Sequence, residues 1–411
     1  MRCIESADSC PGQLCRNDSA PFSQEHEASV PDSPPSTMPQ TLKARLLGSL
    51  DEVEAQAWNA LTRCEYPFLR HEFLSGLEHH HCLGLRTGWK ASHLIFENNR
   101  GELIAGLPMY LKSNSFGEFV FDWSWADAYH RNGLEYYPKL VIAAPFTPAT
   151  GPRLLIAAGH RSAQMSMSVL ETAIDCARQL RVSGLHILFS NQSLDFQHPD
   201  LLRRVACQFH WKNPGYESFA DFLDRLTAKR RKEIKRERRR VRECAIELER
   251  IPGHAVSDAQ WAEFYCHYES TFDQHGNFAA ITPAFFQDIA RTMGEQILLV
   301  IASRRKRMIA SAFFLVGQAA LYGRYWGCSE EIPGLHFETC YYQGIEYCIE
   351  NKLACFEPGA QGEHKISRGF LPTHTWSGHW IKDPRFRAAI EAALQQEKLR
   401  MNETMLELNQ H

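Results

Sequence analysis

The chain has 411 residues, of which 44% are hydrophobic and 23% are charged, and its formal net charge is −3. These values are ordinary for globular proteins, so a collagen-like, coiled-coil or wholly disordered chain is excluded. No run of about 18 apolar residues occurs, which excludes a membrane-spanning helix. The small net charge argues against a protein that coats nucleic acid over its whole surface, and the length predicts two or three domains of about 150 residues each.

The 13 cysteines show no repeated short spacing and no CxxC pair. Together with the absence of a signal-peptide pattern, this predicts reduced thiols in a cytoplasmic protein. Three consecutive histidines precede Cys82, but neither an HExxH motif nor a pair of CxxC motifs accompanies them. We therefore predict no bound metal.

The first 40 residues contain six prolines, many serines and few large apolar side chains. Such a segment buries too little surface to offset the entropy lost on ordering, so a disordered tail is predicted over 1–40. We expect the folded sequence to begin near Thr41.

Two hairpin patterns recur at a constant offset of 205 residues. In residues 94–106 and 299–311, an apolar strand, a polar turn and a second apolar strand follow one another. Each pattern precedes an aromatic-rich segment, which predicts further strands at 118–123 and 321–327. This order predicts a duplicated unit; the alternative is chance similarity of two short hairpins.

Each half then continues with an amphipathic helix and a short strand. The helices are predicted at 168–181 and 337–350, and the strands at 185–189 and 354–357. Antiparallel strands followed by a helix and another strand predict an α+β fold. The predicted division is a first domain over 41–205, a second over 206–395, and a C-terminal helical tail over 396–411.

The most unusual segment is a charged helix predicted over 219–242. Eleven Lys or Arg and two Glu between 225 and 242 give a local charge of +9, which leaves −12 on the rest of the chain. Cations held together against their repulsion favour a polyanion such as phosphate or RNA. A docked structural helix and a localisation signal are the alternatives. The candidate contacts are Lys229, Arg230, Arg231, Lys232, Lys235 and Arg236.

Two further helices have clear start signals. Ser257 and Gln260 match a capping box, and Thr282 followed by Pro283 matches an N-cap with proline in the first turn.

Three segments at predicted strand ends combine groups that could carry chemistry. Residues 121–129 hold aromatic side chains and two carboxylates, residues 145–153 form a rigid turn, and residues 359–370 are Gly-rich with an acid, an imidazole and cations. Acid, base and anion-binding groups on loops favour a site, and solvated loops are the alternative. Walker, GxGxxG and GxSxG motifs are absent from the sequence.

These segments resemble the FemAB-like N-acyltransferases of the GNAT (Gcn5-related acetyltransferase) superfamily over about residues 41–395. The matching segments are WSWADAY at 123–129, YYPKL at 136–140, PFTP at 145–148 with GPR at 151–153, the helix at 229–241, LHFE at 335–338 with CYYQGIEY at 340–347, and FEPGAQGEHK at 356–365.

The resemblance implies tandem GNAT-like domains, with mixed and mostly antiparallel sheets flanked by helices. It implies transfer of an acyl or aminoacyl group to an amine of a small molecule or a cell-wall precursor. We expect no tightly bound cofactor and either acyl-CoA or aminoacyl-tRNA as co-substrate. GNAT enzymes bind the coenzyme A pyrophosphate at a Gly-rich turn that opens a helix. Residues 328–335 lack that spacing and carry Glu330 and Glu331, which favours aminoacyl-tRNA and makes tRNA a candidate partner.

Within this framework the candidate groups have expected roles. Glu363 and His364, with Glu338 as a third candidate, would transfer protons. Lys365 and Arg368 would hold phosphate or carboxylate groups, and Tyr325 and Trp326 would flank the acyl group. Further substrate-binding candidates are Asp127, Tyr129 and Arg153.

Two alternatives to an enzyme remain at this stage. One is a non-catalytic module that recognises a cell-wall precursor or RNA through the basic helix and the Gly-rich loop. The other is an RNA-binding regulator in which the helix alone is functional.

Overall fold

Residues 42–62, 66–191, 193–359 and 362–409 are described by a computed structural model. The tail predicted over 1–40 lies outside these residues. Among the described residues, no helix combines the length and apolar character needed to span a bilayer. All nine cysteines in this part of the chain are free thiols.

Fifteen strands are found in the described residues. They are β1 (Lys43–Leu47), β2 (Trp89–Ala91), β3 (His93–Glu97), β4 (Leu103–Leu107), β5 (Met109–Lys112), β6 (Lys139–Ile142), β7 (Leu155–Ile156), β8 (Gly184–Ser190), β9 (Leu202–Lys212), β10 (Ile246–Pro252), β11 (Ile297–Arg304), β12 (Arg307–Val316), β13 (Ala320–Cys328), β14 (Cys355–Glu357) and β15 (Leu371–Ile381).

The helices of the described residues flank these strands. They are α1 (Ala55–Thr62), α2 (His71–His79), α3 (Trp123–Arg131), α4 (Ala163–Gln179), α5 (Phe219–Asp224), α6 (Ala228–Glu243), α7 (Asp258–Gln274), α8 (Pro283–Thr292), α9 (Leu335–Phe337), α10 (Gln343–Glu350) and α11 (Pro384–Asn409).

The predicted α+β class with mostly antiparallel sheets is confirmed. Eleven strands form one sheet in the order β10-β11-β12-β13-β14-β9-β15-β8-β6-β5-β2, and β1-β3-β4-β7 form a second. Among the described pairs, β6/β8 and β13/β14 are parallel. Each of these pairs joins its strands through a helix, α4 in the first half and α10 in the second, so the two halves repeat a strand–helix–strand unit.

The halves exchange strands at the centre of the large sheet. β9 follows the first half in sequence but pairs with β14 of the second, and β15 follows the second half but pairs with β8 of the first. β9 and β15 also pair with each other over Leu371–His379. The boundary expected at 205 falls inside β9, and the described residues belong to one compact unit. The domain division therefore stays a prediction.

Both predicted hairpins are present, as β3/β4 and β11/β12. The strand predicted at 321–327 is β13, but the strand predicted at 118–123 is wrong. Residues before α3 form a loop in which Glu118 and Asp122 are buried against Lys139. Alternation of aromatic and acidic residues there reflects an ion-pair network and not a pleated strand.

The charged helix is two helices. Ser218 caps α5, and the chain then turns so that Thr227 caps α6 by accepting a hydrogen bond from the backbone N–H of Arg230. The cap at Thr227 starts a new helix, so the single helix that the apolar spacing predicted over 219–242 is interrupted.

The helix predicted at 337–350 is also interrupted. A π-helical turn, Glu338–Tyr342, separates α9 from α10. Tyr341, Ile345, Cys348 and Ile349 are buried on one side as the spacing predicted. The predicted capping box at Ser257 and the Thr282–Pro283 start are both confirmed. The tail expected from 396 is instead the second part of the continuous helix α11.

Gly327 on β13 allows α7 to approach the sheet closely. A Cβ atom at this position would lie 1.9 Å from the carbonyl oxygen of His267 on α7. Because that neighbour is helical backbone, it can move aside only with the whole helix.

We predict that Gly327→Ala lowers the free energy of unfolding by about 3 kcal/mol, since overpacking against backbone cannot be relieved locally. Gly159→Ala is the matched control because nothing lies within 4 Å of its added Cβ. Urea unfolding of both variants measures the difference, and equal midpoints would refute the close approach of α7.

Candidate functional site

The pairing between β13 and β14 stops early. It covers only Ala320–Tyr322 against Cys355–Glu357, whereas β13 pairs with β12 as far as Cys328. In the described residues, β13 from Gly323 to Cys328 is therefore paired along one edge only. Beyond Tyr322, the other edge of β13 is separated from β14, which leaves an opening in the sheet.

A cavity of about 770 Å³ lies on one face of this opening. Its floor consists of β13, β9 and β15, and α7 and the loop before α3 form its walls. The residues around it are Phe119, Val120, Phe121, Pro148, Phe189, Arg204, Ala206, Cys207, Gln208, Tyr268, Thr271, Phe272, His275, Asn277, Arg324, Tyr325, Trp326, Gly359, Thr375, Trp376, Ser377 and Glu397.

A smaller cavity of about 170 Å³ lies on the opposite face. It is lined by His336 and by Cys340 and Tyr341 of the π-helical turn. The two cavities share Arg324, Tyr325 and Trp326. The opening between β13 and β14 thus places two cavities on either side of one short strand segment.

Tyr325 and Trp326, predicted to flank the acyl group, lie at this junction. Tyr325 packs edge-on against Tyr268 of α7 at 4.8 Å between ring centroids, and burial raises the pKa of its phenol. Arg324 extends over the Tyr325 ring and donates to the carbonyl oxygen of Phe146. The roles of Tyr325 and Trp326 stay a prediction.

His364 lies on the side of the smaller cavity. Its Nε2 is 2.9 Å from the hydroxyl of Tyr341, and its side chain is exposed. Partial desolvation of the ring, followed by the nearby Lys365 and Arg368, lowers the pKa of His364, so the ring favours the neutral form that can accept a proton. The side chain of Glu363 lies outside the described part of the structure.

Glu338 is buried against α6 and away from both cavities' linings. Both of its carboxylate oxygens accept from Arg238 at 3.0 Å, and Gln343 donates to it at 2.9 Å. Arg238 also contacts Glu346 at 2.7 Å. This bidentate pair docks α6 on the π-helical turn, and the proton transfer expected of Glu338 stays a prediction.

Lys365 and Arg368 are buried as well. Lys365 donates to the carbonyl oxygen of Gly359 at 2.8 Å, and burial lowers its pKa to about 8. Arg368 contacts Glu237 at 2.6 Å and lies 3.4 Å above the ring of Phe337. Lys365 thus joins two parts of the Gly-rich loop, Arg368 holds this loop against α6, and neither residue lines the large cavity.

Arg153 is completely buried, and its guanidinium group donates hydrogen bonds to backbone carbonyl oxygens. It donates to Leu188 at 2.6 Å, to Pro152 at 2.7 Å and to Ala149 at 2.9 Å. These bonds fix the turn at 145–153 against β8, and the substrate contact expected of Arg153 stays a prediction.

Asp127 and Tyr129 lie on α3, which the sequence did not predict as a helix. Asp127 is exposed, while Tyr129 is buried between Tyr136 and Phe386. Burial raises the pKa of Tyr129 to about 12. Their expected contacts with substrate stay predictions, because neither residue lines the two cavities described above.

The cations of α6 divide between two faces. Ile234 and Val241 are buried, and Arg238 is bound to Glu338, so this face is docked. Lys229, Lys232, Lys235 and Arg236 are exposed, whereas Arg231 is half-buried and pairs with Asp224 at 3.0 Å. A shallow groove runs along the outer face between Arg231, Lys232, Lys235, Arg236 and Arg239. Arg230 is half-buried and lies outside this groove.

A buried polar network that the sequence did not predict lies beside the large cavity. Lys139 is bound by Ser115 at 3.0 Å, by Glu118 at 2.8 Å and by Asp122. Burial raises the pKa of Glu118 to about 7 and lowers that of Lys112 to about 7. The only sequence signal for it was the pair of carboxylates between aromatic residues at 118–123.

One group of potential metal ligands lies behind the cavity floor. Atoms of His210, Cys355 and Glu357 lie within 4.8 Å of one another. However, Lys212 places its ammonium 3.2 Å from the sulfur of Cys355, and burial raises the pKa of that thiol to about 11. A cation beside a protonated thiol disfavours a metal ion, and we derive no chemical step from this group.

Solved structures are similar to the chain over most of its length. One is the C-terminal domain of an Agrobacterium fabrum protein named as a lysylphosphatidylglycerol synthetase, with a TM-score of 0.50, 8% identity, and coverage of 84% of this chain and 97% of that one. Another is FemX, with a TM-score of 0.49, 11% identity, and coverage of 82% and 98%. A tandem GNAT protein from the clavulanic acid pathway reaches a TM-score of 0.43 at 10% identity, with coverage of 82% and 98%.

No curated protein sequence matches the chain. A family model does match, over residues 49–411, and its description is FemAB-like, peptidoglycan biosynthesis/recognition. This match covers most of the chain, including both cavities and the basic helix. The chain belongs to the FemAB-like family, the N-acyltransferase family that its sequence motifs resemble.

Proposed function

We propose that this N-acyltransferase carries out the transfer at the opening between β13 and β14. The acceptor amine enters the large cavity, and the acyl or aminoacyl donor reaches it through the smaller cavity on the other face. The shared segment Arg324–Trp326 supports this arrangement, because a group bound there is accessible from both sides.

The free edge of β13 supplies the electrostatic help that acyl transfer needs. Thr271 of α7 donates to the carbonyl oxygen of Trp326 at 2.7 Å, so this carbonyl group is bound by α7 and not by β12. Backbone N–H groups with no strand partner are suitable donors to the oxyanion of a tetrahedral intermediate. We assign that role to the edge of β13 beyond Tyr322.

The packing of α6 favours aminoacyl-tRNA over acyl-CoA as the donor, and this observation carries the proposal. The turn after β13 leads to Gly334 at the start of α9, where a GNAT enzyme would bind pyrophosphate. A Cβ atom at Gly334 would lie 3.4 Å from the carbonyl oxygen of Glu237, so the backbone of α6 covers this helix end. A carbonyl oxygen also repels phosphate.

The outer face of α6 offers a different site for a polyanion. Five of its cations line one groove, while its Glu237 faces inward to Arg368 and Tyr342. An RNA backbone matches a row of cations on a rod better than one small nucleotide does. As acceptor we propose an amine of a peptidoglycan precursor, in line with the family's description; a cytoplasmic location stays a prediction.

We predict that the triple variant K232E, R236E and K235E weakens tRNA binding strongly without unfolding the protein, since all three side chains are exposed. Wild-type affinity should fall on the order of a thousandfold between 50 and 200 mM salt if about six phosphates are contacted. Fluorescence anisotropy with labelled tRNA at both concentrations measures this.

The matched control for this prediction reverses three exposed cations elsewhere, Lys90, Arg100 and Arg131. The net charge changes equally in both triple variants. Equal loss of affinity would show that only net charge matters, and salt-insensitive acyl-CoA binding without tRNA affinity would return α6 to a structural role.

We predict that Ala206→Trp abolishes transfer while leaving tRNA binding unchanged. Ala206 lies on the cavity floor and is exposed, so an indole there fills acceptor space without disturbing the core. The assay follows radiolabel from a mixture of charged tRNAs into the small-molecule fraction of a cell extract. Ala44→Trp, at an exposed position on β1, is the control, and undiminished transfer by Ala206→Trp would exclude the cavity as the acceptor site.

A further inference from the structure

Two buried histidines connect the large cavity to the polar network around Lys139. Ser377 of β15 lines the cavity, and its hydroxyl lies 2.8 Å from Nε2 of His379. Nδ1 of His379 lies 2.8 Å from Nδ1 of His186 on β8. Both imidazoles are 1% exposed, so solvent does not supply their hydrogen bonds.

The chain of contacts continues to a carboxylate. Nε2 of His186 is 3.5 Å from the hydroxyl of Tyr136, and that hydroxyl is 2.5 Å from Oδ2 of Asp122. Asp122 in turn binds the ammonium of Lys139. Five side chains from four separate segments thus form one line from the cavity wall to a buried ion pair.

The ionised carboxylate of Asp122, at the end of the chain far from the cavity, determines the direction of these hydrogen bonds. Lys139 keeps Asp122 ionised by lowering its pKa against the effect of burial, and a carboxylate can only accept. Tyr136 therefore donates its single proton to Asp122, which requires Nε2 of His186 to carry a proton.

The protonation states of His186 and His379 determine the hydrogen bonds nearer to the cavity. Burial lowers the pKa of His186 to about 3 and that of His379 well below its usual value, so each ring holds one proton. With Nε2 of His186 protonated, its Nδ1 must accept from Nδ1–H of His379. Nε2 of His379 is then unprotonated and accepts from the hydroxyl of Ser377.

We propose that Ser377, His379, His186, Tyr136 and Asp122 form a proton relay that opens into the acceptor cavity at Ser377 and takes up the proton lost by the amine during transfer. The proposal rests on the proposed function for the identity of the amine. Only Ser377 reaches the cavity, so the other four are positioning residues that act through it.

The step balances in atoms and charge. The amine nitrogen bonds to the donor carbonyl carbon, and the bond from that carbon to the leaving oxygen breaks. An N–H proton passes to Oγ of Ser377 as the hydroxyl proton of Ser377 moves to Nε2 of His379, and the inner protons shift towards Asp122. The leaving oxygen takes a proton from water, and the relay returns its own to water through Ser377.

A relay of this kind makes Ser377 nucleophilic, which can be tested without any donor or acceptor. Phenylmethylsulfonyl fluoride should modify Ser377: an O–S bond forms, the S–F bond breaks, and the hydroxyl proton moves to His379. We expect mass spectrometry to find one sulfonyl group on the Ser377 peptide and none in Ser377→Ala.

Tyr136→Phe cuts the relay far from the cavity and should slow this labelling at least tenfold. Tyr137→Phe is the matched control, because the hydroxyl of Tyr137 contacts Ser115 at 2.8 Å and lies outside the relay. Equal labelling rates in the two folded variants, or an unmodified Ser377 in the wild type, would overturn the proposal.

A second measurement keeps the test independent of variants that fail to fold. In wild-type protein labelled with ¹⁵N-histidine, we expect NMR to show His379 protonated at Nδ1 and His186 at Nε2; the opposite tautomers would overturn the relay. Because neither measurement uses tRNA, failure of the relay and failure of the proposed donor give different results.

Discussion

The exchange of β9 and β15 between the two halves is the constraint on which the rest of the structure depends. Each strand pairs with the final strand of the other half's strand–helix–strand unit, and with each other along Leu371–His379. The cavity floor therefore combines β13 from one half with β9 and β15 at the crossing. Neither half alone would enclose the cavity, because its opposite walls come from the loop before α3 and from α7. The lining of this cavity thus combines residues from both halves of the chain.

Buried charges position the loop that closes this cavity. Lys139, Glu118 and Asp122 are each at most 3% exposed, and isolated charges would be costly at such burial. Their mutual ion pairs, with Ser115 and Tyr136 satisfying further positions, offset that cost only in one loop conformation. The loop therefore presents Phe119 and Phe121 to the cavity while its acids point inward. Removing one partner would leave an uncompensated charge beneath the cavity wall, so the network specifies the shape of the wall.

Local signals in the sequence predicted local structure well. The capping box at Ser257, the Thr282–Pro283 start and the two hairpins depend on neighbouring residues alone, and each is present. Several errors arose where residues distant in the sequence determine the structure. Glu118 and Asp122 look like an alternating strand until Lys139 is known to lie beside them. Arg368 looks like an anion site until Glu237, 131 residues away, is found 2.6 Å from it. The sequence did not mark Ser377 and His379 as candidate functional residues, because the hydrogen-bonded chain that they belong to depends on His186 in the other half.

Helix α6 has two different faces: one is docked on the protein, and the other is exposed to solvent. Its acidic Glu237 and its Arg238 both face inward, where they bind Arg368 and Glu338. Ion pairs offset the charge of that face, whereas Lys232, Lys235, Arg236 and Arg239 remain exposed along the outer groove. The same docking brings the backbone of α6 into contact with Gly334 at the start of α9. In GNAT enzymes, this helix end would bind a pyrophosphate. One packing interaction thus covers Gly334 and leaves a cationic surface on the opposite face of α6, and the proposal of an aminoacyl-tRNA donor depends on both features.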